Sequence, residues 1–326
     1  MKSAFCLVLA LTVVPSDSSA EITGPVAAYA FDAPTGNIRA INGVPGSTVL
    51  GDPLPAPALR LAALHPAGQW LLGVATDSRM TVIGRNLGGA SIEWKTLEGT
   101  LSAVDAIELS SSGARALLYS SQSGEIQLVT GLPAMPELSA AVSISDLGEL
   151  SAAAVAPNLD EAVLATGRGL YRIAFRGGEA AVPQFVGPAS TPLTFGEDGS
   201  RLFIANAGSV AAFSGDGTLL GLSAPVIQPD DLRPPSEAGP ATQLSALCAG
   251  AGNVAAIQNG SNIAVVFDAS TLERRSELTL PARSVRCSSL GGGSFLLADS
   301  NGSPVGIMDL QQSVAYFVPA ASAPLQ

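Results

Sequence analysis

The stretch SAVDAIELSSSGARALLYS, residues 102–120, decides how the rest of the chain reads. An alternating apolar segment runs into a turn of small residues ending at Gly113, and a second apolar segment follows. Alternation predicts a half-buried strand, and a short Ser/Gly turn between two such runs predicts an antiparallel hairpin. The same unit recurs five times. It reads LRLAALHPAGQWLLGVA at 59–75, LSAAAVAPNLDEAVLATG at 150–167 and STPLTFGEDGSRLFIAN at 190–206. It returns as LSALCAGAGNVAAIQN at 244–259 and SVRCSSLGGGSFLLADS at 284–300. Aligned on their turns, the copies are anchored at Gly68, Gly113, Leu159, Gly199, Gly252 and Gly292, at intervals of 45, 46, 40, 53 and 40 residues. The third copy lacks the turn glycine, where Asn158-Leu159-Asp160 still turns the chain.

Two further strand candidates follow each hairpin, such as Met80–Gly84 with Ser91–Trp94, Glu125–Val129, and Asn262–Phe267 with Arg275–Leu280. Four strands in roughly 40–45 residues make one propeller blade. Helical periodicity is weak throughout, and 35 glycines and 23 prolines punctuate the chain. These features predict an all-β protein, a β-propeller of six to seven four-stranded blades.

The turns Gly196-Glu197-Asp198-Gly199 and Leu109-Ser110-Ser111-Ser112-Gly113, with the segment Phe267–Glu273, resemble the WD40/YVTN-like propeller superfamily. The resemblance spans nearly all of the mature chain and implies a fold, with no activity attached. The Trp-Asp ending and Gly-His opening of WD40 blades are absent. Ala27–Ile41 matches the third and fourth strands of the fifth unit, so it reads as a half-blade, an N-terminal hairpin completing or closing a blade. Sharing one blade between the chain ends would remove exposed edges.

Lys2, the eleven-residue apolar run Ala4–Val14 and the small-residue segment Pro15–Ala20 read in order as a signal peptide over 1–20. The alternative is a buried N-terminal strand. Such a leader predicts a secreted or periplasmic protein whose single propeller domain covers 21–326, with no transmembrane anchor, since a helical span needs about 20 apolar residues. The formal charge of −11 and the lack of any basic run exclude nucleic acid as a partner.

Catalytic constellations are scarce. His65 is the only histidine, so a multi-histidine metal site is ruled out, and its place in His65-Pro66-Ala67-Gly68 reads as a turn. The Gly167–Gly169 and Gly291–Gly293 runs lack the helix that would aim amides at a phosphate. Asp230-Asp231 and Ser214–Gly217 supply too few oxygens for calcium. No cofactor and no metal are expected. Beyond the leader stand Cys248 and Cys287, in the innermost strands of neighbouring units; they either form a disulfide across blades or serve as two small buried hydrophobes.

Stacking the copies yields the candidate site. Arg60, Asp105, Glu149, Thr191, Gln243 and Arg283 stand eight to ten residues before their anchors, where radial blades would set them round the mouth of the central channel. Such a ring suits a small polar ligand or a peptide end; alternatively, strand starts near water are simply polar. The loops between second and third strands open on the same face and bring Asp77, Arg79 and Arg168. The proline-rich insertion 224–242 adds Asp230, Asp231 and Arg233 there, and long loops of this kind carry recognition.

Three functions compete. An exported, non-catalytic propeller would bind a protein, peptide or glycan through one loop face. A propeller enzyme of lactonase or quinone-dependent dehydrogenase type would place its site at the channel mouth. A structural module would join a larger surface assembly. With no catalytic constellation, the reading leans away from an enzyme.

Overall fold

The computed structural model describes residues 25–319, apart from 45, 90, 207, 216 and 227–243. The leader, Asp230, Asp231, Arg233 and Gln243 lie outside the described residues. Seven antiparallel sheets succeed one another along the chain, over 26–53, 59–96, 106–143, 150–187, 193–222, 244–279 and 286–317. Within each, strands pair in chain order, from the innermost outward. In the third and fourth sheets the outer edge is split: Glu137–Leu138 and Val142–Ser143 both pair with Glu125–Thr130, and Glu179–Ala180 and Gln184–Gly187 both pair with Gly169–Arg176.

Packing shows why the sheets form a ring. The second strands Trp70–Ala75, Ala116–Ser120 and Glu161–Thr166 are buried at every residue, because both of their faces meet a neighbouring sheet. Outer strands such as Arg274–Thr279 are mostly exposed. Among the described residues, seven apolar cores fill the seven seams. The seam that closes the circle packs Ala30, Ile41 and Leu50 of the first sheet against Leu296 and Val318 at the other end of the chain. There the Leu50 N–H also donates to the Pro319 carbonyl at 2.9 Å. Each large core side chain contributes about 1.5–3 kcal/mol on burial, against at most ~1 for an exposed ion pair. Apolar packing holds the ring. The protein is a seven-bladed β-propeller, which resolves the blade count left open between six and seven.

Alternating strand direction gives the molecule two faces. The upper face carries the loops between second and third strands and the links between blades. The lower face carries the turns between first and second strands and the loops between third and fourth.

The first blade departs from the sequence reading. Its hairpin turn, Ala33–Gly36, lies on the upper face: Leu59 N–H, at the start of the second blade, donates to Gly36 O at 2.9 Å. A side-chain carbon on Gly302, in the upper loop of the last blade, would stand 2.8 Å from Ala33 Cβ. Val26–Asp32 and Asn37–Val44 therefore run as second and third strands, one place inward of the expected register. The reason is a strand that the Pro-rich stretch 51–57 concealed, Ser47–Pro53, which takes the outermost place. No described strand holds the innermost place of this blade. The inner strands of its two neighbours close toward one another, and a side-chain carbon on Gly291 would stand 3.6 Å from the Pro66 carbonyl.

Candidate functional site

The five described channel-mouth candidates fall on the upper face, within or just before first strands. Arg60, Asp105, Glu149, Thr191 and Arg283 are exposed. Antiparallel pairing sets the upper loops beside them: Gly167 N–H donates to Glu149 O at 3.0 Å, and Thr76 N–H to Ala58 O at 2.9 Å. Two of the five already have structural partners. The Arg60 guanidinium donates to the Val104 carbonyl of the next blade. The Asp105 carboxylate accepts from Ser121 N–H at 2.9 Å and from the Ser121 hydroxyl. Glu149 and Arg283 hold no ion pair with another described residue. Asp77, Arg79 and Arg168, on the upper loops, are likewise exposed and outside every such pair.

One pair of charges deeper along the axis was not singled out by the repeat alignment. Glu108 lies on the innermost strand Ala106–Leu109. There Ile107 and Leu109 pack into the seam between the second and third blades, and Ala106 and Glu108 are exposed on the other side. The Glu108 residue keeps exposed surface there, yet protein surrounds its carboxyl. That enclosure pushes its pKa up to about 7, against the opposing pull of Arg286 on the innermost strand of the last blade. Glu108 pairs with Leu117 near the lower end of its strand, and Arg286 with Ala298 near the upper end of its own. Alternation within Ala106–Leu109 was the available signal; aligning only strand starts passed over it.

His65 behaves as a turn residue. Its Nδ1 accepts from Ala67 N–H at 3.1 Å, its ring lies 5.2 Å from that of Trp70, and burial lowers its pKa. Cys248 and Cys287 form a disulfide with their Cα atoms 6.2 Å apart, joining the innermost strands of the sixth and seventh blades. Among the described residues there is no cluster of three or more His, Cys, Asp or Glu able to hold a metal. No helix among them is long and apolar enough to cross a membrane.

No family model matches the chain, and no curated protein does. Solved structures do, at the level of fold. A protein from Lactobacillus plantarum aligns with a TM-score of 0.62 at 13% identity, over 90% of this chain and 95% of that one. A Bacteroides fragilis protein bearing the name of a 6-phosphogluconolactonase aligns with a TM-score of 0.58 at 11% identity, over 90% and 92%. The Cps50 β-propeller domain of Myceliophteria thermophila aligns with a TM-score of 0.54 at 12% identity, over 88% and 98%. The propeller resemblance read from the repeats thus holds for the fold, and identities this low carry nothing about activity.

Proposed function

We propose that this chain is an exported, non-catalytic propeller that holds a protein, peptide or glycan against its upper face. The observation that carries this reading is the set of exposed charges there, Asp77, Arg79, Glu149, Arg168 and Arg283, none of them ion-paired to a described residue. Unpaired guanidinium and carboxylate groups on a rigid ring are available to a partner without first breaking internal bonds. The leader and the disulfide both suit export to an oxidising compartment. The strands flanking the proline-rich insertion over 224–242, Leu219–Leu222 and Leu244–Gly250, end and begin on this face. Peptide and glycan arrays test this reading with wild-type protein and an Arg79→Ala, Arg168→Ala, Arg283→Ala triple variant. Spots that bind wild type should be lost or weakened at least tenfold in the variant. Full retention by a folded variant would overturn the proposal.

Glu108 favours a second reading. A carboxyl titrating near neutrality on an innermost strand is suited to general acid–base work, and a lactonase-named structure shares the fold. A lactone-hydrolysing activity that vanishes in Glu108→Gln would replace binding with catalysis. Metal analysis and an absorbance spectrum of the purified protein would show whether a metal or quinone accompanies it.

A further inference from the structure

The lower face repeats one construction at seam after seam, and one seam breaks it. The turns between first and second strands lean on each other round the axis. A side-chain carbon on Gly113 would stand 2.2 Å from His65, one on Gly199 2.9 Å from Pro157, and one on Gly293 2.5 Å from Ala251. Ser112 donates to Pro157 O at 3.3 Å, and the Asn158 side-chain amide donates to Asp198 O. At the seam between the fifth and sixth blades, Gly252 has nothing within 4 Å of where its side chain would be. Where the second and fourth blades put Pro66 and Pro157 in the turn, the fifth puts Glu197.

The gap is a pocket of about 500 Å³ lined by Glu197, Asp198, Arg201, Phe203, Asn253 and Asp268, among others. Its charges are unequally committed. Arg201 donates to Ala269 O at 2.7 Å and Ser270 O at 2.6 Å, and Arg275 is paired with Asp268. Hydrogen bonds from Ser200 hold Asp198 below the usual carboxylate range, and those from Ser270 and Thr271 do the same for Asp268. Glu197 has no ion pair with a described residue.

Asn253 supplies an independent sign. It is only 5% exposed and its side-chain amide donates to Ala251 O at 3.2 Å, yet its Oδ1 accepts no hydrogen bond. A buried acceptor left unmet costs about 1–3 kcal/mol, a cost that a donor entering the pocket would remove. The carboxylates of Glu197, Asp198 and Asp268 outnumber the guanidinium groups of Arg201 and Arg275, so the lining carries net negative charge beside an unmet acceptor.

We infer that this pocket takes a cationic N–H donor, a guanidinium or alkylammonium group, between the Glu197 carboxylate and the Asn253 amide oxygen. The group could come from a small free amine or from a basic side chain of a polypeptide. The formal charge of −11 draws either one in. The site is distinct from the upper face and stands whether or not that face binds a partner.

Calorimetric titration with agmatine and with an acetylated, amidated Gly-Arg-Gly peptide tests it, using wild type, Glu197→Gln and, as a control on another exposed acid, Glu137→Gln. Glu197→Gln should weaken binding about tenfold, the scale of one charge-assisted hydrogen bond. Glu137→Gln should leave it unchanged, and the Asn253 side-chain amide resonances should shift on titration. The tighter ligand identifies the source. Equal affinity for wild type and Glu197→Gln, equal loss in both variants, or resonance changes confined to other regions would overturn the inference.

Discussion

Apart from Arg60, which reaches the Val104 carbonyl of the next blade, the upper-face arginines are used in the opposite way to those of the lower face. On the lower face, guanidinium groups strap one blade to the next. Arg85 donates to the Pro133 carbonyl, and Arg201 reaches Ala269 and Ser270. Arg115 meets Asp160 Oδ1 and the Pro157 carbonyl, each at 2.7 Å. On the upper face, Arg79, Arg168 and Arg283 are exposed and outside every ion pair among the described residues. The first arrangement commits its donors to stabilising a turn ring; the second leaves them solvated and free to meet a ligand. The residue type is the same, so what differs is whether a neighbouring blade's carbonyl lies within reach.

The largest expected effect tests the turn ring with matched glycines. Gly113 (φ +72°) abuts His65, whereas Gly260 (φ +76°), on the upper face, has nothing within 4 Å of its absent side chain. Gly113→Ala should cost about 3 kcal/mol or more, combining left-handed strain with a clash. Gly260→Ala should cost only the strain, about 1 kcal/mol. Denaturant midpoints measure both. Equal losses would show that the lower turns bear no more load than the upper ones.

A smaller effect separates the arginines. Arg115→Ala should lose about 1–2 kcal/mol, since it leaves Asp160 without its partner and the Pro157 carbonyl with only the longer Ser112 bond. Arg79→Ala should stay within about 0.5 kcal/mol. A destabilisation of Arg79→Ala as large as that of Arg115→Ala would erase the contrast between the faces.

The smallest effect is a slope with pH. Glu108 has its folded pKa raised to about 7, so between the unfolded carboxylate value near 4.5 and neutrality the folded chain binds more protons than the unfolded one. This group's contribution is therefore most favourable below about pH 4.5, declines as pH rises, and levels off above about 7. Glu108→Gln should flatten that part of the stability profile. An unchanged slope would mean that the carboxyl is not enclosed at the axis.

Much of the architecture was legible because the hairpin of a blade is a local object. Alternation in Ala106–Leu109, the apolar run Ala116–Ser120 and the Ser/Gly turn at Ser110–Gly113 between them specify two strands and their reversal whatever the surroundings. The first blade was misread for a local reason as well. Gly51, Pro53 and Pro55 look like loop residues, and only the Asn42–Val49 and Ile41–Leu50 pairings reveal Ser47–Pro53 as a strand. Cys248 and Cys287 could be assigned to neighbouring inner strands, but both their readings stayed open until the strands were placed side by side. Of the candidate ring, Arg60, Asp105, Glu149, Thr191 and Arg283 stand on the upper face, while Arg60 and Asp105 are engaged by backbone and serine partners a blade or a loop away.

Repetition of apolar alternation and turn chemistry was enough to establish blades, strand order and a ring, because each of these depends on residues a few places apart. Which charges stay free, which turns touch, and where a seam falls open depended on the assembled fold. Those outcomes rest on distances between blades some 40 residues apart, such as the 39-residue step from Cys248 to Cys287, and nothing within a single unit encodes its neighbour's approach.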